Sequence, residues 1–74
     1  MKLRELEIGK IAIVKNISLN REKTFKLLNF GCTKGSIITC KFKNPNKTSG
    51  AYKVNGCVFA MASDDAEQVE VALC

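Results

Sequence analysis

Four cysteines, at positions 32, 40, 57 and 74, and the adjacent acids Asp64 and Asp65 are the side chains of this 74-residue chain whose types invite chemistry. No histidine accompanies them, so the commonest general base and metal ligand is missing. A structural zinc site usually begins with two cysteines two to four residues apart, whereas Cys32 and Cys40, the nearest pair, are separated by seven residues. Soft thiolates do attract iron and zinc, yet Cys40 stands in the alternating run Ile38, Cys40, Phe42 and fits a small core hydrophobe. Cys32 and Cys57 each follow a glycine where a corner or strand begins, and Cys74 is the last residue. Asp64 and Asp65 fall in the first turn of a short helix, where the helix dipole accounts for them. Gly31 and Gly35 come after a helix pattern, while a phosphate cradle needs glycines before a helix N-terminus. Neither a catalysed reaction nor a bound cofactor or metal is expected.

Size and charge bound what remains. A chain this short buries only about 60% of the surface its unfolded form exposes, enough for one small sheet but not for a deep substrate cavity. Residues 1–74 are expected to form a single domain, with 46% hydrophobic and 26% charged residues and no low-complexity segment. No apolar run approaches the roughly 20 residues that span a bilayer, and the opening "MKLRELEIGK" lacks the apolar centre of a signal peptide. The chain therefore reads as complete, soluble and cytoplasmic. The net charge is +5, with ten Lys or Arg and one acid, Glu22, between Lys10 and Lys53. The other acids sit near the two ends. If the ends meet in space, an acidic pole faces a basic belt, which suits an acidic protein surface or a nucleic acid.

The elements that must position these groups follow from periodicity. Leu3, Leu6 and Gly9 predict a short turn that lays two leucines over an open end of the core. Lys10–Ile17 is almost continuously apolar and predicts a strand covered on both faces. Asn20 can cap a helix over Arg21–Asn29. Its apolar arc is Thr24, Phe25, Leu27 and Leu28, with Lys23 and Lys26 facing away. Gly31 is the natural residue just past the helix end, because glycine enters the left-handed conformation without a steric penalty. The run "SIITCKFK" alternates, with Ile38, Cys40 and Phe42 on the buried face. A polar loop, Asn44–Gly50, leads to a hairpin turned at Asn55-Gly56, the pair a type I′ turn favours. A Ser63-capped helical turn and a last strand, "VEVAL", close the chain. The predicted fold is mainly β: a small, partly open SH3-like barrel of about five strands. One short helix fills its first long connection, and a single helical turn precedes the last strand.

The stretch "FKLLNFGCTKGSII" resembles the signature of the FeoA family, in which a basic helix ends in Leu-x-x-[Leu/Met/Phe]-Gly-hydrophobic-x-x-Gly before a β-branched strand. Leu27, Phe30, Gly31, Cys32, Gly35, Ile37 and Ile38 occupy those positions. Leu3, Leu6 and Gly9 are similar to the family's Leu-x-x-Leu-x-x-Gly opening. Gly56, Phe59, Ala60, Met61, Ala66, Val69 and Val71 match its closing pattern, so the likeness runs through nearly the whole chain. Two departures touch partner contact. Arg21, Lys23 and Lys26 stand where the family often has arginines, and "NPNKTSG" replaces a Gly-Asp-Pro-like loop.

The resemblance implies a small cytosolic accessory protein of bacterial ferrous iron uptake. Its implied partner is the FeoB transporter, docked through the cytosolic GTPase domain. The strip expected to make that contact is Lys23, Lys26, Phe30 and Lys34, with the lysines steering and the aromatic anchoring. The competing reading is a basic small barrel that binds nucleic acid. It needs exposed rings interleaved with the charges, and only Tyr52 and Phe30 offer them, so nucleic acid is the less expected partner.

Overall fold

A 3-10 turn at Leu3–Glu5 opens the chain and is followed by β1 (Ile11–Ile17) and α1 (Arg21–Asn29). Then come β2 (Ile37–Lys43), β3 (Ser49–Val54), β4 (Cys57–Ala62), α2 (Ser63–Ala66) and β5 (Val69–Leu73). The structure is a computed structural model covering Met1–Cys74. All strand pairs are antiparallel, and the order across the single sheet is β4-β3-β2-β1-β5. The sheet curls around one cluster of 15 buried residues without joining its two edges, β4 and β5. No helix is long and apolar enough to cross a membrane.

The expected elements are present, and β3 begins two residues earlier than the loop pattern suggested. Asn55 and Gly56 have φ of 51° and 80°, the two positive values that a type I′ hairpin turn requires. Leu3 and Leu6 are both fully buried at the open end of the barrel. The segment that carries them is clamped to β5 and to the end of α2. The Met1 amine donates to Glu70 Oε2 at 2.6 Å, Lys2 pairs with Glu70 Oε1 at 3.3 Å, and Arg4 pairs with Glu67 at 2.8 Å. The chain ends do meet, and of their acids Glu67 and Glu70 are paired there and Asp65 with Lys23, while Glu5, Glu7 and Asp64 form no ion pair.

Three sequence expectations are corrected. The first is Phe42, which is 56% exposed. The β2–β3 register shifts between Cys40 and Phe42, and the added residue of such a bulge turns the following side chain to the other face. Next, β1 is covered on one face only. Ala12 and Val14 are buried, while Ile11 is exposed and Ile13 only half-buried, because they and their cross-strand neighbours, Thr39 for Ile11 and Ile37 and Ala72 for Ile13, lie on the uncovered outer face of the sheet. Finally, Ser63 does not cap α2. Ala62 holds the cap position without a side-chain bond, and the Ser63 hydroxyl instead donates to the Lys47 carbonyl at 2.6 Å, tying the central loop to the helical turn.

Candidate functional site

The helix that carries the expected contact strip is fixed at both ends. At its start the Asn20 side chain accepts the Lys23 backbone N–H at 2.8 Å. At its end the Cys32 N–H reaches the Leu27 carbonyl at 2.8 Å, and the Gly31 N–H reaches Leu28 at 2.9 Å. This is the Schellman arrangement, with Gly31 at φ +85° as its left-handed residue. Leu27 and Cys32, the two positions whose apolar contact accompanies the motif, are both buried in the core cluster. Beyond it, Ser36 Oγ donates to the Gly31 carbonyl at 3.1 Å, and the Gly35 N–H donates to Val14 of β1 at 2.8 Å. The glycine-rich stretch is a corner that joins helix to barrel.

Pinning Leu27 inward sets the rotation of α1, and it differs from the predicted one. At about 100° per residue, Leu28 and Phe25 are carried into solvent, where they are 51% and 60% exposed. The side of α1 toward the barrel presents Leu27 flanked by Lys23 and Lys26. Lys23 reaches across to α2, where its Nζ donates to Asp65 Oδ1 at 2.8 Å. That hydrogen bond, with the nearby carboxylate charge, raises the pKa of Lys23 and holds it protonated.

Between α1 and β4 lies a groove of about 160 Å³, with Leu27, Phe30, Phe59 and Met61 among its apolar walls and Lys23 and Lys26 beside them. Phe30 stacks on Phe59 with ring centroids 4.8 Å apart and planes 3° from parallel. Phe59 is buried and Phe30 is partly open to solvent, so the outer ring rests on a core ring. Three of the four expected residues, Lys23, Lys26 and Phe30, therefore share one groove. Lys34 is exposed in the turn that follows and does not line it. The sequence reading missed Phe59 and Met61 as groove walls, although strand alternation marks both as inward-facing.

A larger hollow of about 520 Å³ lies where the Asn44–Gly50 loop meets the opening turn, lined by Arg4, Lys43, Lys47 and Tyr52 among others. Tyr52 is 2% exposed and cannot be a stacking surface. Its burial pushes the phenol up to about 12.

Cys32 and Cys40 are buried, Cys57 is half-buried and Cys74 is exposed. Burial pushes the Cys32 thiol up to about 11 and raises Cys40 as well. No group of three or more Cys, Asp or Glu side chains is placed to hold a metal ion. At pH 8, therefore, Cys57 and Cys74 should react with an aromatic disulfide reagent in the native protein, and Cys32 and Cys40 only on unfolding. Four equally fast thiols would contradict the burial. The unfolded chain releases its thiol and phenol protons near 9.0 and 10.0, whereas folded Cys32 and Tyr52 keep theirs to about 11 and 12. The stability these groups contribute is present below pH 9 and is lost as pH climbs from there. The thermal midpoint should fall over that range.

A family model described as the FeoA domain matches residues 1–73. The chain belongs to the FeoA family. Comparison with curated proteins gives no match. Among solved structures, this FeoA chain is similar to the FeoA protein of Chlorobium tepidum, with 25% identity and a TM-score of 0.93 over 99% of this chain and 70% of that one. It is also similar to an iron uptake regulatory protein (FeoA), with 28% identity and a TM-score of 0.87 over 100% of this chain and 97% of the other. A third is the FeoA of Stenotrophomonas maltophilia, with 25% identity and a TM-score of 0.79 over 97% and 89% of the two chains. That protein is complexed with zinc and described as a prokaryotic SH3 domain protein and a candidate activating factor of ferrous iron transport. The curled five-stranded sheet of this FeoA chain is SH3-like.

Proposed function

We propose that this FeoA chain is a cytoplasmic accessory protein of bacterial ferrous iron uptake. In this reading it is a protein-interaction module that docks on the cytosolic GTPase domain of a FeoB-type transporter and supports or regulates transport. Iron is the transporter's cargo, and no catalysed reaction is assigned to the chain. The observation that carries the reading, beside membership of the family, is the groove between α1 and β4. There a partly open Phe30 ring is backed by buried Phe59, next to a lysine, Lys26, that forms no ion pair within the chain. A rigidly backed aromatic is suited to anchoring a partner, and a rim lysine to steering encounter with an acidic one. Lys34 lies outside the groove and is assigned to the outer rim of the docking surface. Lys23 contributes less, since its ammonium is already shared with Asp65.

Calorimetric titration against the transporter's cytosolic domain at two ionic strengths is the test. Phe30→Ala should weaken binding about tenfold or more. Lys26→Glu should weaken it chiefly at low salt, where exposed charges are least screened. Circular dichroism should show both variants folded. Wild-type affinity in both would remove the groove as the docking site. Lys23→Glu is a poor probe of docking, because it sets a new carboxylate against Asp65 and disturbs α1 itself.

A further inference from the structure

The two edges of the sheet are treated differently. Along β5, the Val71 N–H donates to the Met1 carbonyl at 2.8 Å and Lys2 bridges to Glu70, so the opening residues cover that edge. Along β4, every backbone partner belongs to β3, and no backbone group elsewhere bonds to Cys57–Ala62. The two-residue turn makes Val54–Cys57 a bonded pair, and bonded and non-bonded pairs then alternate along an antiparallel ladder. The Ser63 N–H bond to the Thr48 carbonyl, at 2.9 Å, fixes the same phase at the far end. Val58, Ala60 and Ala62 therefore turn their N–H and C=O groups outward, unpaired.

Natural edge strands are blunted by charge, proline or a bulge. The run "CVFAMA" has no charge and no proline, and its register to β3 is unbroken. The outward positions carry small, exposed side chains, Val58, Ala60 and Ala62, which let another backbone approach. The groove with Phe30, Phe59 and Met61 runs beside this edge, and Ala60 and Ala62 also line it. Unpaired lysines flank it: Lys26 at the groove, and Lys53 directly opposite Val58 in the β3–β4 register. Of the acids near Lys23, Asp65 lines the groove and is taken by that lysine, while Asp64 and Glu22 do not line it.

We propose that the β4 edge receives an extended, acidic segment of the partner protein as a sixth strand. Main-chain bonds to Val58, Ala60 and Ala62 would hold it in place. Its alternate side chains would divide between the apolar groove and the outer face, with carboxylates against Lys26 and Lys53. A second copy of the chain is the less suitable occupant, because two chains of net charge +5 repel. The inference rests on the docking reading for the identity of the partner, but not for the existence of the site.

The probe is a capped octapeptide of alternating valine and glutamate, with a valine–lysine peptide as control, titrated into the 15N-labelled full chain. We expect the acidic peptide to bind at least tenfold tighter than the basic one. Bound at saturation, it should slow amide exchange at Val58 and Ala60 at least tenfold. Ala60→Pro removes one outward N–H at an edge position where proline is tolerated. It should keep the native circular dichroism and bind the peptide at least tenfold more weakly. If that variant does not fold, amide exchange in the wild type decides.

Lack of acidic-peptide binding, unchanged exchange at Val58 and Ala60, or protection of these amides by self-association would each overturn the proposal. The transporter's cytosolic domain is then titrated against wild type and Ala60→Pro. Equal affinity for both would overturn the edge site and leave docking intact. Edge protection by the peptide with no binding of the domain would support the site and overturn the docking reading.

Discussion

Leu6→Ala is expected to lower the unfolding free energy by about 2–5 kcal/mol, the usual cost of truncating a large core residue. Leu6 and Leu3 are completely buried although they sit on an irregular opening segment rather than on a strand. They fill the open end of a curled sheet that has no second layer to close it. A domain of this size has about 4–11 kcal/mol of stability in total, from about 0.05–0.15 kcal/mol per residue. The variant should therefore show a large drop in urea midpoint and partial unfolding at physiological temperature. The ion pairs that clamp the same segment are surface pairs, so Arg4→Ala should cost no more than about 1 kcal/mol. A Leu6→Ala loss as small as that of Arg4→Ala would show that the opening segment is an attachment and not part of the core.

Gly31→Val should cost about 1–3 kcal/mol, the strain of a residue forced into a sparsely populated backbone region. The position has φ +85° at the left-handed step of the helix end, where a β-branched residue is an outlier. An added Cβ would lie 2.9 Å from Asn55 Nδ2. That atom ends a flexible side chain whose bond to the Gly31 carbonyl is long, at 3.5 Å, so it can move aside. The backbone angle cannot relax without breaking the bonds of Cys32 and Gly31 to the last turn. Thermal melts of Gly31→Val and Asn55→Ala separate the two effects. Destabilisation confined to the glycine variant is the expected result, and an unchanged midpoint in Gly31→Val would mean the corner is built otherwise.

Local chemistry made much of this architecture legible. Asn20, Gly31 and the Asn55-Gly56 pair act through bonds or angles within a few residues of themselves, and each stands where its type predicted. Alternation placed Ile38 and Cys40 correctly and failed one step later at Phe42, because a bulge is set by register against β3 and leaves no mark on the strand that carries it. The rotation of α1 was illegible for a similar reason. Three apolar neighbours, Phe25, Leu27 and Leu28, compete for the inward position. The contest is decided by Cys32, Phe59 and Asp65, which belong to other elements. Lys23 finds its partner 42 residues away. A pattern that shows only the helix cannot show that ion pair, nor that Lys23 is thereby withdrawn from the exposed strip.

The helix that forms one side of the groove is attached very differently from the strand that forms the other. β4 is laced to β3 along its whole length. α1 is held by a glycine corner at one end, by the burial of Leu27, by the stacking of its cap residue Phe30 on Phe59, and by a single solvent-exposed ion pair to α2. Such thin attachment belongs to the low-stability end of a protein's local openings. The two walls of the groove are thus secured to different degrees, one by a full ladder and the other by a few contacts. Salt that screens the exposed Lys23–Asp65 pair therefore acts on the α1 wall and leaves the β4 wall unchanged.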